Sequence, residues 1–146
     1  MVRQRESGWG PHRLKSDLDQ KYSPETPIGL IWACSGDCDV PRYYDWDPTT
    51  TVEGGLPEES VLGVEAALWS ETIRGEAQAL WMALLRAAAV LETGWSRADR
   101  KDVDSFLQRL GALGPHWTAA GVNFYATPKV AWGEGVVATD LNGVPV

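Results

Sequence analysis

Residues 61–71 read Val-Leu-Gly-Val-Glu-Ala-Ala-Leu-Trp-Ser-Glu, and the fold turns on them. Positions 61–68 are apolar except for Gly63 and Glu65. A short run that is apolar on both faces is what a buried strand in a covered parallel sheet requires. Trp69, Ser70 and Glu71 follow, and then an Ala/Leu-rich stretch over 76–93. There Leu80, Leu84, Ala87, Ala88 and Leu91 recur every three or four residues. That spacing predicts a helix with one apolar stripe, and Gly94 stands where a C-terminal cap belongs. Strand, loop and helix in this order make one unit of a parallel α/β fold. Such folds carry their functional groups where the strand gives way to the loop, at the carboxyl end of the sheet.

Trp69 and Glu71 are two residues apart, so on an extended chain they point the same way. An indole face beside a carboxylate suits a sugar: the ring stacks and the carboxylate accepts from adjacent hydroxyls. The spacing is equally compatible with Trp69 as a core plug and Glu71 as a carboxylate favoured by the helix dipole.

Further along, 99–113 predicts a second helix, with Val103, Phe106, Leu107 and Leu110 as its stripe and Gly114-Pro115 as its stop. Residues 117–120 add at most a turn of helix, 122–125 read as extended, and 133–146 form a Gly/Val-rich tail with little to bury. Upstream, 1–13 lacks apolar periodicity and reads as an irregular lead-in. The main body is then 14–132. Residues 23–27 carry two Pro and predict a turn, 28–33 are briefly apolar, and 34–39 and 49–59 are loops.

Composition bounds the partners. A chain of 146 residues with 44% hydrophobic and 23% charged residues has the make-up of a globular domain. The net charge of −7 argues against nucleic acid. No run approaches the roughly 18 apolar residues of a membrane span, and the polar first ten residues do not read as a secretory signal. Eight Trp stand out. Most Trp are core residues, but a Trp-rich acidic domain also fits a carbohydrate binder. Cys34 and Cys38 are the only cysteines, and neither His12 nor His116 is near them in sequence. A zinc site is therefore not expected, and neither is any other metal or cofactor. The spacing leaves a local disulfide and two unpaired thiols both open.

The segment 63–71 resembles the last barrel strand of family-20 glycoside hydrolases, the β-N-acetylhexosaminidases. Asp19-Gln-Lys-Tyr22, Thr26-Pro-Ile-Gly-Leu-Ile-Trp32 and Tyr44-Asp-Trp-Asp-Pro48 follow the family's order upstream. Glu92-Thr-Gly-Trp-Ser96 and Gly121-Val-Asn-Phe-Tyr125 resemble its closing segments. The resemblance runs from about residue 17 to 132. It implies a (β/α)8 barrel that removes terminal N-acetylhexosamine, with the substrate's own acetamido oxygen attacking the anomeric carbon. An adjacent Asp-Glu pair serves that step in the family. By motif position, Trp69 is similar to the aromatic lining the sugar pocket and Glu71 to the carboxylate holding the outer hydroxyls. Asp19 resembles a second hydroxyl-binding carboxylate, and Trp32 an aromatic near the pocket mouth.

The departures shape the expectation as much as the matches. No counterpart of the catalytic Asp-Glu pair stands upstream of Asp17. Glu58-Glu59, the only adjacent acidic pair, sits in a loop before the strand and reads as a solvated turn. The family usually carries Tyr two residues before the position of Asp19, donating to the acetamido oxygen. Asp17 stands there, and an ionised carboxylate cannot donate. A complete barrel needs about 250 residues. The expected architecture is thus the C-terminal part of a (β/α)8 barrel, its last one or two strand–helix units. The expected function is an inactive piece of a β-N-acetylhexosaminidase that still forms part of the sugar pocket for an N-acetylhexosamine-containing glycan. Marginal stability alone, or a chain supplying the missing strands, goes with it. The competing readings are a non-catalytic carbohydrate-binding or interaction module and a small enzyme of another class.

Overall fold

The computed structural model describes residues 12–34 and 36–146. Its sheet pairs two parallel strands, β1 (His12–Asp17) and β2 (Val61–Ala67). Helix α1 (Val40–Tyr44) lies between them in sequence, and α2 (Glu76–Trp95) and α3 (Val103–Ala119) follow β2. Each strand is therefore followed by a helix, as a parallel pair demands.

β2 and α2 fall where the sequence places them; β1 corrects the reading. Residues 1–11 of the expected lead-in lie outside the described residues, but His12 and Arg13 open β1. The sequence His-Arg-Leu-Lys-Ser-Asp has no apolar alternation. It is extended because β2 offers it a ladder, which outweighs weak local propensity. Asp17 pairs with Ala67, and Leu18 N donates to Ala67 O at 2.6 Å. At the other end His12 pairs with Val61 but Arg13 with Gly63, so Leu62 bulges out of register and is 64% exposed.

β2 is not buried on both faces. Val64 and Leu68 pack into the core with Leu18, whereas Glu65 and Ala66 are exposed. The covered face meets α2 so closely that a Cβ on Gly94 would lie 2.5 Å from Val64 Cγ2. Gly94 is thus a packing residue inside the helix, not its cap; the helix ends at Ser96, whose N–H bonds Glu92 O. The buried stripe of α2 is Trp81, Met82, Leu85, Arg86, Ala89, Val90 and Thr93, adjacent to the predicted one. Leu91 of the predicted stripe is exposed, because a helix apolar nearly all round gives no single face by spacing alone.

α3 runs through Pro115 instead of stopping before it. Proline costs a helix one N–H, and the Gly111 carbonyl left without it accepts from Gly133 N instead. The C-terminal residues therefore do bury something: Val136 packs on the main core and Leu141 on a second cluster around Tyr22, Trp81 and Met82. Residues 122–125 form no strand; Asn123 Nδ2 ties Ala77 O and Asp140 O together, and Phe124 is buried between Trp117 and Trp132. Cys34 and Cys38 are joined by a disulfide. No described helix is long and apolar enough to cross a membrane.

Candidate functional site

The carboxyl ends of β1 and β2 lie side by side, so the segment after β1 meets the segment after β2. Asp17 is 4% exposed and its Oδ1 accepts the indole Nε1–H of Trp69 at 2.9 Å. Asp17 is thus an acceptor that orients an indole. Asp19 is 1% exposed. Burial pushes its carboxyl above the ordinary carboxylate range, and the negative charges of Asp17 and Glu71 push the same way. Its Oδ1 accepts from Gln20 Nε2 at 3.3 Å, while its Oδ2 is buried with no hydrogen-bond partner.

The backbone here is pinned carbonyl by carbonyl. Asp17 O accepts from Tyr43 Oη at 2.8 Å, Asp19 O from Leu30 N at 2.8 Å, and Gln20 O from Arg86 Nη1 at 2.5 Å. Arg86 is wholly buried; it also donates to Met82 O and lies 3.8 Å from the centroid of the Tyr22 ring. The negative face of that ring attracts the cation.

The loop bearing Trp32 is fastened to both segments. Ala33 N and Cys34 N donate to Gln20 Oε1 at 3.0 and 3.2 Å. Gly29 N donates to Thr72 Oγ1 at 2.8 Å, next to Glu71. Gly29 has φ of 97°, and a Cβ there would meet Asp19 O and Lys21 N at 2.9 Å, so only glycine lets the loop lie this close.

The structure thus brings Asp19, Trp69 and Glu71 to one end of the strand pair and joins the Trp32 loop to them. Trp32 and Trp69 are each 44% exposed, and Glu71 is exposed. Of the described Trp residues only Trp95 is more exposed. Glu58 and Glu59, exposed in the turn Glu58–Ser60, precede β2 and so lie at its opposite end. Two clefts, of about 690 and 720 Å³, are lined by residues such as Asp39, Arg42 and Lys129, and Leu56, Thr93 and Lys101 respectively. Neither contains any of the four expected residues. Among the described residues no three His, Cys, Asp or Glu are grouped to hold a metal.

Spacing did not single out Gln20 or Arg86. Arg86 had a visible signal, as the one charge in the run 79–91. Gln20 had none, because the two backbone N–H groups it accepts from are 13 and 14 residues away.

Residues 18–98 match the catalytic domain of glycosyl hydrolase family 20. A β-N-acetylhexosaminidase of Cellulomonas fimi is 41% identical over 128 residues, covering 84% of this chain and 25% of that protein. The chain therefore spans about a quarter of the length of the curated relative it matches. Among solved structures, Streptomyces plicatus N-acetyl-β-hexosaminidase in complex with Thio-NAglucal is 44% identical. Its TM-score is 0.73, covering 82% of this chain and 23% of that one. A mutant of that enzyme in complex with its product N-acetylglucosamine matches equally well. The exo-β-N-acetylglucosaminidase of Vibrio harveyi, with N-acetylglucosamine, is 28% identical with a TM-score of 0.65, over 77% of this chain and 18% of that one.

Proposed function

The chain belongs to glycosyl hydrolase family 20 and corresponds to part of its catalytic domain, and from that premise we propose that Asp19, Trp32, Trp69 and Glu71 form one wall of a subsite for a terminal N-acetylhexosamine. The observation that carries this reading is the buried Oδ2 of Asp19, which has no hydrogen-bond partner. A native fold leaves such an atom unsatisfied at a cost of about 1–3 kcal/mol, and a sugar hydroxyl is a donor of the right kind. Trp69, oriented by Asp17, offers an indole face beside it, and Glu71 a second acceptor. The sugar-bound relatives support the ligand class.

In this reading the wall recognises and does not catalyse. General acid–base work needs a carboxyl placed at the leaving oxygen; all three carboxylates here are given to hydroxyls or to an indole. The strands that would face this wall complete a (β/α)8 barrel, carried on the same polypeptide or on a separate one. They would cover Glu65, Ala66 and Leu62.

The test is a titration of the purified chain with N-acetylglucosamine, followed by intrinsic Trp fluorescence. Saturable binding, abolished in Glu71→Ala, is expected. Binding also weakens as pH falls from neutral, because burial raises the Asp19 carboxyl above the ordinary Asp range, so it takes up its proton early and loses its acceptor charge. Hydrolysis of an aryl β-N-acetylglucosaminide by the isolated chain would overturn the non-catalytic part, and equal binding by Glu71→Ala the subsite itself.

A further inference from the structure

We propose that Gln20 is a positioning residue that sets the Asp19 carboxylate and the Trp32 loop in one fixed arrangement for the sugar. The inference rests on the subsite proposed above and adds what holds its two halves together. A single buried amide, 1% exposed, uses both ends: Nε2 donates to Asp19 Oδ1, and Oε1 accepts from Ala33 N and Cys34 N. Of the side chains of this size, only an amide can donate to a carboxylate and accept two N–H groups at once. Its own carbonyl is held by Arg86 and its neighbour's by Leu30 N, so the amide works from a fixed base. By occupying Oδ1 it also leaves Oδ2 as the acceptor that remains for a ligand.

The arrangement has a second anchor on the loop side. Cys34 takes one of the two hydrogen bonds and is joined to Cys38, whose N–H donates to Tyr22 O at 3.1 Å. Trp32 is therefore followed directly by residues held from the Asp19 side and from the Tyr22 side. A loop fixed in this way loses little entropy when an indole stacks on a sugar.

Two variants of the full chain, Gln20→Leu and Gln20→Glu, test this by hydrogen–deuterium exchange and by titration with N-acetylglucosamine. Gln20→Leu removes all three bonds. Exchange at Ala33 and Cys34 should accelerate while helix α2 stays protected, and affinity should fall about tenfold. Gln20→Glu keeps both acceptor bonds but sets a second carboxyl against Asp19. Its affinity should be lowest near neutral pH and recover as pH falls, when a shared proton restores the donor. Wild type is expected to show the opposite slope, and a residue that merely fills space would not reverse it. Unchanged exchange at Ala33 and Cys34 in Gln20→Leu, or a Gln20→Glu profile parallel to wild type, would overturn the proposal. If Gln20→Leu does not fold, the Gln20→Glu profile decides alone. If wild type itself does not bind, the subsite reading fails, and the exchange arm still judges whether Gln20 holds the loop.

Discussion

The two ends of the same strand pair are organised on opposite principles. At the carboxyl end Asp17, Asp19 and Gln20 are all nearly inaccessible, and their carbonyl groups each have a named donor. At the amino end of β2 Leu62 bulges into solvent, behind the exposed Glu58 and Glu59. Polar groups are buried at one end, and a large apolar side chain is exposed at the other. Burying polar atoms costs free energy unless they are bonded, and at the carboxyl end the bonds to these three carbonyl groups offset part of that cost.

Breaking the carboxyl end should have the largest effect. Arg86→Leu leaves Gln20 O without its buried donor, and we expect a loss of about 3 kcal/mol in urea unfolding. Next comes the disulfide, which closes a loop of four-residue separation. Replacing both cysteines, Cys34→Ser with Cys38→Ser, should cost about 2 kcal/mol by chain entropy, and the same drop should follow reduction of the wild type. Asp17→Ala releases the indole of Trp69, for which about 1 kcal/mol in stability is expected, along with about tenfold weaker binding of N-acetylglucosamine. Asp17→Asn still accepts from the indole and should retain most of the binding.

The smallest effect should come from the amino end. Leu62→Ser in the isolated chain is expected to change stability by no more than about 0.5 kcal/mol. The same substitution in a preparation containing the rest of the barrel should cost more, since there the side chain would be covered. Equal effects in both settings would remove the contrast between the ends.

Much of this was legible in the chain. Residues 61–68 declared a strand by continuous apolarity, and 76–93 a helix by composition. The ordered motifs pointed to the family. What stayed hidden is non-local. β1 is polar and becomes a strand only because β2 lies beside it. Gly94 resembles a terminator in sequence and is a contact in space, as Val64 shows. Asp17 looked like a lost donor because its new partner is 52 positions away. Gln20 and Arg86 act on backbone atoms of distant segments, and no spacing rule reports such a bond.

One bond described above ties together parts that the sequence treats as separate. The Gly111 carbonyl inside α3 receives its hydrogen from Gly133, beyond the helix. The helix therefore does not own its complete ladder. Amide exchange at Gly133 should track the opening of α3, and the last turns of that helix should melt together with the C-terminal segment as one cooperative unit. A protease cut near residue 132 would then loosen a helix that it never touches.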